Sequence, residues 1–317
     1  MAYRATDGPP IVPPGPSRVD LHTHSRRSDG VLEPAELVAA AGAAGVRLMA
    51  LTDHDTLAGV RELVAGPPAD APELLAGVEI NAVAAGVPGL WEGELHVLGL
   101  GVDPADGAFE AALVTQRLQR RRRVEAMLGR LRELGLPVDA EFAALPTPDA
   151  AAVGRPHIAR CLVAAGHAAS VDDAMQRLLA RGRPAYVPRA GLGPAEAIAA
   201  ISAAGGLAVL AHFADAAERR HLVAELAERG LGGLEVHYRH FDALTVDRLG
   251  AVAAELRLVP TGGSDYHGDG ISYAEAHAGL WVPESDGRAV LAALAARRGS
   301  GPSPAASAPD GDNLVQP

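Results

Sequence analysis

Cysteine is nearly absent: Cys161 is the only one among 317 residues, which excludes an intrachain disulfide and any zinc site built on several thiolates. A lone thiol of this kind is expected to serve as a small core residue. Aromatics make up 3% of the chain, too few for the stacking platforms that hold extended single-stranded nucleic acid. Positive charge is also short, with 28 Lys and Arg against 39 Asp and Glu and a formal net charge of −11, so a long nucleic-acid duplex is a poor partner. No stretch has the roughly 18 uninterrupted apolar residues of a membrane span, and Met1 to Ser17 lacks the apolar segment of a leader. The chain therefore reads as cytoplasmic, without membrane contact; its oligomeric state is not legible.

What is present is a hydrophobic fraction of 48%, dominated by small residues, ample for one large α/β barrel or two ordinary domains. Val19 to Leu21 reads as a strand, Pro34 to Gly45 as a helix with Pro in its first turn, and Val46 to Leu51 as the next strand, together a βαβ unit. The rhythm returns in strands at Leu74 to Ile80, Leu95 to Leu100, Leu207 to Ala211, Gly233 to His237 and Leu258 to Thr261. Helical patterns occupy Pro194 to Ala204, Ala217 to Arg229 and Asp242 to Glu255. A long helical pattern from Phe109 to Leu134, with shorter ones near Pro156 to Ala165 and Val171 to Ala180, interrupts the alternation. Val124, Met127, Leu128, Leu131 and Leu134 fall on one apolar stripe of the long helix. The expected organisation is a barrel over 18–100 and 190–298, a helical insertion over 101–189, and disordered tails at 1–17 and 299–317.

The chemistry-bearing residues follow strands. His22, His24 and Asp29 come directly after the first one, and two imidazoles one residue apart point the same way on an extended chain, so both can reach one ion. Asp53, His54 and Asp55 follow the second strand, Glu79 ends the third, His96 lies in the fourth, His212 follows the fifth, and Asp265 and His267 follow the last. Strand C-terminal ends share one face of an α/β barrel, so residues distant in sequence converge there. Taken singly, His96 or His212 reads as an ordinary hydrogen-bonded residue; the His-Thr-His and Ser-Asp-Tyr-His clusters have few structural uses and point to a metal centre.

These pieces, His22-Thr-His24, Thr52-Asp-His-Asp-Thr56, Gly77-Val-Glu79, His96, Ala211-His212 and Ser264-Asp-Tyr-His267, resemble in type and order the PHP (polymerase and histidinol phosphatase) family of metal-dependent phosphoesterases, over about Arg18 to Pro283. Asp29, where many relatives carry a third histidine, and Gly154-Arg-Pro-His-Ile-Ala-Arg160 are similar to the branch containing nucleoside 3′,5′-bisphosphate phosphatases and 5′-3′ exoribonucleases acting on short RNA. Phe213 departs from the usual Pro without removing a ligand. The resemblance implies a distorted (β/α)7 TIM-like barrel, the PHP fold, with a mainly helical insertion and a trinuclear centre. His22, His24, Glu79 and Asp265 would hold one metal, Glu79 bridging to a second held by His96 and His212, with Asp29, His54 and His267 on the third.

Three carboxylates against three divalent ions leave excess positive charge, which favours an anionic substrate and attack by a metal-bound hydroxide at the site of His22, His24, Glu79 and Asp265. Two to three ions are expected, Mn²⁺ first, with Zn²⁺ or Fe²⁺ accommodated by the same mixed donors. Arg155, His157, Arg160, Arg183 and Arg189 of the insertion are candidates for substrate binding, Arg being suited to bidentate phosphate contacts. Asp53, Asp55 and His237 are candidates for orienting the ligands. Arg120 to Arg123 read as a solvated run, because four consecutive residues cover all sides of a helix, and His167, His221 and His277 read as surface residues. The function expected is hydrolysis of a phosphomonoester on a small nucleotide such as a nucleoside 3′,5′-bisphosphate. Alternatives are 5′-3′ exonuclease action on short oligonucleotides, a histidinol phosphatase, and a non-catalytic metal-binding scaffold module.

Overall fold

The structure is a computed structural model and describes residues 15–84, 93–145, 152–268 and 270–299. The two expected tails fall almost wholly outside that range. Seven strands form one sheet in chain order: β1 (Val19–Asp20), β2 (Leu48–Leu51), β3 (Glu73–Val83), β4 (Glu94–Leu100), β5 (Leu207–Leu210), β6 (Gly233–Tyr238) and β7 (Val259–Gly263). The sheet curls until its ends nearly meet. Leu21 N donates to Gly262 O at 3.0 Å, Asp265 N to His22 O at 2.7 Å, and Thr23 bridges Tyr266 in parallel. β2 and β5 are buried at every position, as expected of short apolar strands covered on both faces.

Closure depends on glycine at one seam. A Cβ on Gly263 of β7 would overlap the Cβ and backbone of His22, so the first and last strands meet this closely only because that position has no side chain.

The strands are not all parallel. β4 pairs antiparallel with both β3 and β5, in a register that sets Asn81 against His96 and Val97 against Leu210. This explains why His96 belongs near the start of its strand when Glu79 lies in the later half of its own and the other candidates follow theirs: the start of a reversed strand lies at the barrel end where its neighbours finish.

The helices that cover the barrel include Pro34–Ala43 and Pro194–Ala203, each entered through proline, whose fixed φ and missing N–H suit a first turn. Asp242 caps Ala243–Leu256, its Oδ1 accepting from Thr245 N at 2.7 Å. Four α-helices not read from the sequence are also present among the described residues: Ala58–Ala65, Asp139–Ala143, Tyr273–Ala278 and Glu284–Gly299. No helix among the described residues is long and apolar enough to cross a membrane.

The 27-residue helix Gly107–Glu133 joins two hydrophobic clusters. Phe109 and Leu113 pack into the barrel core. Val124, Met127, Leu128 and Leu131 build a second cluster with Ile158, Cys161, Leu162 and Leu179. Cys161 is buried. The helical pattern near Val171 to Ala180 resolves into Val171–Ala174 followed by a π-helical turn, Met175–Leu179, a local widening often found beside functional sites.

The same helix corrects one expectation. Arg117, Arg120 and Arg123 are buried, at spacings that place them on one face with Val124, while Arg122 is exposed. Arg120 lies 2.5 Å from Asp55 Oδ2 and Arg123 Nε donates to Val187 O at 2.8 Å. The four arginines do surround the helix, but tertiary packing recruits two of them inward. His277 is a second correction: it is 2% exposed, its Nε2 2.8 Å from Ser17 O and its Nδ1 3.7 Å from Asp20 Oδ2. A short helix missed in the sequence, Tyr273–Ala278, carries it inward.

Candidate metal centre

At the barrel mouth the nine sequence-predicted residues form three donor groups whose ligand atoms lie within 4.8 Å of one another: His22, His24, Glu79 and Asp265; Glu79, His96 and His212; and His24, Asp29, His54 and His267. Glu79 and His24 each belong to two groups. Glu79 sits at the centre, with Oε2 at 3.1 Å from His24 Nε2 and 2.9 Å from His54 Nδ1, and Oε1 at 2.6 Å from His96 Nδ1 and 3.2 Å from His212 Nε2. Asp265 Oδ1 is 3.1 Å from His24 Nε2, and Asp29 Oδ1 is 3.2 Å from His267 Nε2.

The donor set fits divalent cations. His22 Nε2, His24 Nε2, Asp29 Oδ1, His54 Nδ1, Glu79 Oε2 and Asp265 Oδ1 are all buried without a hydrogen-bond partner. Buried polar atoms are rarely left unmatched, and six that converge on common points, mixing imidazole and carboxylate, have the chemistry of a transition-metal site. Their electrostatics point the same way. Burial opposes charge on His24, yet Asp265 and Glu79 overcome it and raise this imidazole to about 10. Burial likewise opposes charge on Glu79 and Asp265, and the surrounding imidazoles still hold both carboxyls well below their usual range. His54 behaves differently: burial pushes it down to about 4 despite Glu79 and Asp29, so it presents a neutral ring. Carboxylates held ionised in a dry pocket are ready for cations, which would displace the imidazole protons.

Two donors, His212 (φ 31) and Asp265 (φ 48), and their neighbour Asp55 (φ 50) adopt the left-handed backbone region. Non-glycine residues pay for such conformations, and strained positions gather where function fixes them.

Behind the donors stands a layer of hydrogen bonds. Asp53 accepts from Ser25 N at 2.7 Å, Ser25 Oγ at 2.6 Å and Ser28 Oγ at 2.7 Å, pinning the loop that carries Asp29. Asp55 pairs with Arg120, which also donates to Asn81 Oδ1; the Asn81 amide in turn contacts His96 Nε2. His237 faces elsewhere, with Nε2 3.0 Å from Asp286 Oδ2.

Several positioning residues escaped the sequence reading. Glu235 Oε1 is 3.0 Å from His22 Nδ1, and its Oε2 accepts from His212 N at 2.6 Å. Tyr238 OH donates to Asp265 Oδ2 at 3.1 Å. Asp20 accepts from Ser264 N at 2.9 Å and Tyr273 OH at 2.7 Å, tying β1 to the segment that carries Asp265. The available signal was an acid embedded in an apolar strand, as in Leu234-Glu-Val236, because a fully buried carboxylate needs a partner.

The insertion candidates separate by position. Arg155 and Arg189 line a cleft of about 210 Å³ over the cluster, with Arg120, Pro156 and Met175 on the same wall. Arg189 Nε is 2.9 Å from Glu94 Oε2. Arg160 donates to Asp29 O at 2.7 Å and is outside the cleft lining. His157 is buried, its Nδ1 accepting from Gly154 N at 3.2 Å. Arg183 is exposed and outside the cleft lining.

Comparison with known proteins gives a consistent set of similarities. A family model, the PHP domain, matches residues 20–133. A 5′-3′ exoribonuclease of Escherichia coli (strain K12) is 35% identical over 272 residues, which cover 83% of this chain and 89% of that protein. A 3′,5′-nucleoside bisphosphate phosphatase of Chromobacterium violaceum is 33% identical over 266 residues, covering 80% and 88%. Among solved structures, one from Bifidobacterium adolescentis, assigned as a metal-dependent phosphoesterase, superimposes with a TM-score of 0.76 at 31% identity, covering 88% of this chain and 97% of that one. An amidohydrolase from Chromobacterium violaceum, solved with bound sulfate and no metal, gives 0.76 at 29% identity, covering 89% and 97%.

Proposed function

The chain belongs to the PHP family of metal-dependent phosphoesterases and is a hydrolase; on that premise we propose that it removes a phosphate from a small nucleotide carrying two phosphates, such as a nucleoside 3′,5′-bisphosphate. The observation that carries this reading is the wall of Arg120, Arg155 and Arg189 beside the nine-residue cluster. A monoester needs only the cluster, whereas a second anionic group needs cations beyond it, and planar guanidinium forks match phosphate oxygens. The similarity to a nucleoside bisphosphate phosphatase supports the same substrate class.

In this reading His22, His24, Glu79 and Asp265 hold one ion, Glu79, His96 and His212 a second, and Asp29, His54 and His267 a third. Mn²⁺ is the preferred ion, and Zn²⁺ or Fe²⁺ suit the same donors. When bound, such ions offset phosphoryl charge and bring the acidity of water near neutrality, so that no side-chain nucleophile is required. The chain's own residues supply the geometry. Glu79 ties two donor groups together, Glu235 and Tyr238 fix the donors they touch, and Arg155 and Arg189 bind the second phosphate and orient the ester.

A second reading, 5′-3′ exonuclease action on short RNA, is favoured by the similarity to 5′-3′ exoribonucleases. The same cleft serves both if the nucleotide's 3′ side continues as a chain. The deciding assay gives purified enzyme with Mn²⁺ either adenosine 3′,5′-bisphosphate or a 5′-phosphorylated trinucleotide. Faster phosphate release from the bisphosphate is expected; faster mononucleotide release from the trinucleotide favours the second reading, and turnover of neither overturns both.

A further inference from the structure

The cleft lining has a further cationic element outside the insertion, Arg239-His240, which directly follows the last residue of β6, Tyr238. On the insertion side three guanidiniums stand beside two carboxylates, since Arg120 pairs with Asp55 and Arg189 with Glu94. On the β6 side Arg239 Nε donates to His240 Nε2 at 2.9 Å, while its Nη1 is buried without a hydrogen-bond partner. A charged donor sealed from water and left without an acceptor is costly. Arg239 lines the cleft, so a turn of its guanidinium towards an acceptor brought by a ligand would remove that cost.

The neighbouring contacts say which ligand group that is. Tyr238, one residue earlier, donates to Asp265 Oδ2, and its ring centroid is 5.6 Å from that of His212. Arg239 lines the same cleft as the donors Asp265 and His212, and it follows directly on the residue that holds Asp265. We propose that Arg239 binds the phosphoryl group being hydrolysed, while the insertion arginines hold the second phosphate of the same substrate. The inference rests on the phosphoesterase reading and adds a specificity residue that the insertion does not supply.

The test uses full-length Mn²⁺-loaded protein and the variants Arg239→Met and Arg239→Lys, with Arg155→Met as the control for the second phosphate. Three quantities are measured: inorganic phosphate affinity by calorimetry, and kcat/KM for p-nitrophenyl phosphate and for adenosine 3′,5′-bisphosphate. Charge-assisted hydrogen bonds of this kind correspond to about tenfold to a hundredfold. Arg239→Met should weaken phosphate binding by about that factor and lower kcat/KM on both esters alike, with Mn²⁺ content and Tm unchanged and Arg239→Lys intermediate. Arg155→Met should lower kcat/KM for the bisphosphate by a larger factor than for p-nitrophenyl phosphate, the reverse of an equal loss on both. Unchanged phosphate affinity in Arg239→Met and Arg239→Lys overturns the proposal, as does a loss confined to the bisphosphate or one accompanied by loss of Mn²⁺. If wild-type enzyme does not prefer the bisphosphate over p-nitrophenyl phosphate while the Arg239 effect persists, the bisphosphate reading fails and the Arg239 assignment stands.

Discussion

Glu235 and His22 form a buried pair in which one carboxylate oxygen lies 3.0 Å from the imidazole Nδ1, leaving Nε2 aimed at Glu79 and Asp265. Glu235 is fixed in turn by the backbone N–H of His212. A single acid on β6 thus sets the ring orientation of one donor and anchors the chain at another, an arrangement that fixes the tautomer of a ligating histidine.

We predict that Glu235→Gln, which keeps shape and loses charge, lowers metal affinity by about tenfold to a hundredfold. Activity titrated against Mn²⁺ should show a right-shifted curve that recovers at high metal. An unshifted curve would remove Glu235 from the site's support.

Glu79 belongs to two donor groups, so its replacement should cost more than that of any residue belonging to one. Glu79→Gln is predicted to lower bound metal by more than one ion per chain and activity by at least about 10²-fold, an effect of the size seen when charge-stabilising groups are removed. Elemental analysis beside Asp29→Asn provides the comparison. Equal metal loss in the two variants would count against the shared role.

His157 gives a pH dependence of stability. Burial pushes it down to about 4, with Arg160 and Arg120 adding to the effect against the pull of Asp29. The folded value lies below the ordinary one of 6.5, so the unfolded chain takes up the proton first and stability falls as pH drops from about 6.5 towards 4, by up to about 1.4 kcal/mol per pH unit. Urea unfolding of wild type and His157→Asn between pH 7 and 4.5 should show the wild type losing its advantage. A constant difference between the two would refute this.

Leu131 is fully buried in the second hydrophobic cluster. Leu131→Ala is predicted to cost about 2–5 kcal/mol, from lost transfer energy and the cavity left behind. Urea unfolding measures the loss, and Mn²⁺ content should stay at the wild-type level, since none of the nine donors packs in that cluster.

Much of this centre was legible in the chain because each donor lies within a strand or on the segment that follows one. His22-Thr-His24 and Asp265-Tyr-His267 carry their spacing with them, and the alternation of apolar runs and helical patterns located the seven strands to within a few residues. The buried arginines were not legible. In sequence Arg120 and Arg123 look like Arg121 and Arg122, and only the partners Asp55, Asn81 and Val187, brought in from other segments, make two of the four inward-facing. His277 was hidden for the same reason, its partners Ser17 and Asp20 lying at the far end of the chain.

Local chemistry fixed the kinds of donor, their order and the strand ends that bear them, because residue spacing on an extended chain determines which side chains point together. Closure of the sheet decided the rest. The reversal of β4 turned His96 towards the mouth, the Gly263 seam let β1 meet β7, and the approach of β6 delivered Glu235 to His22 and left Arg239 facing the cleft. Those relationships join residues far apart in sequence. Their physical basis is the need of each buried charge for a partner, and the fold alone determines which partner is within reach.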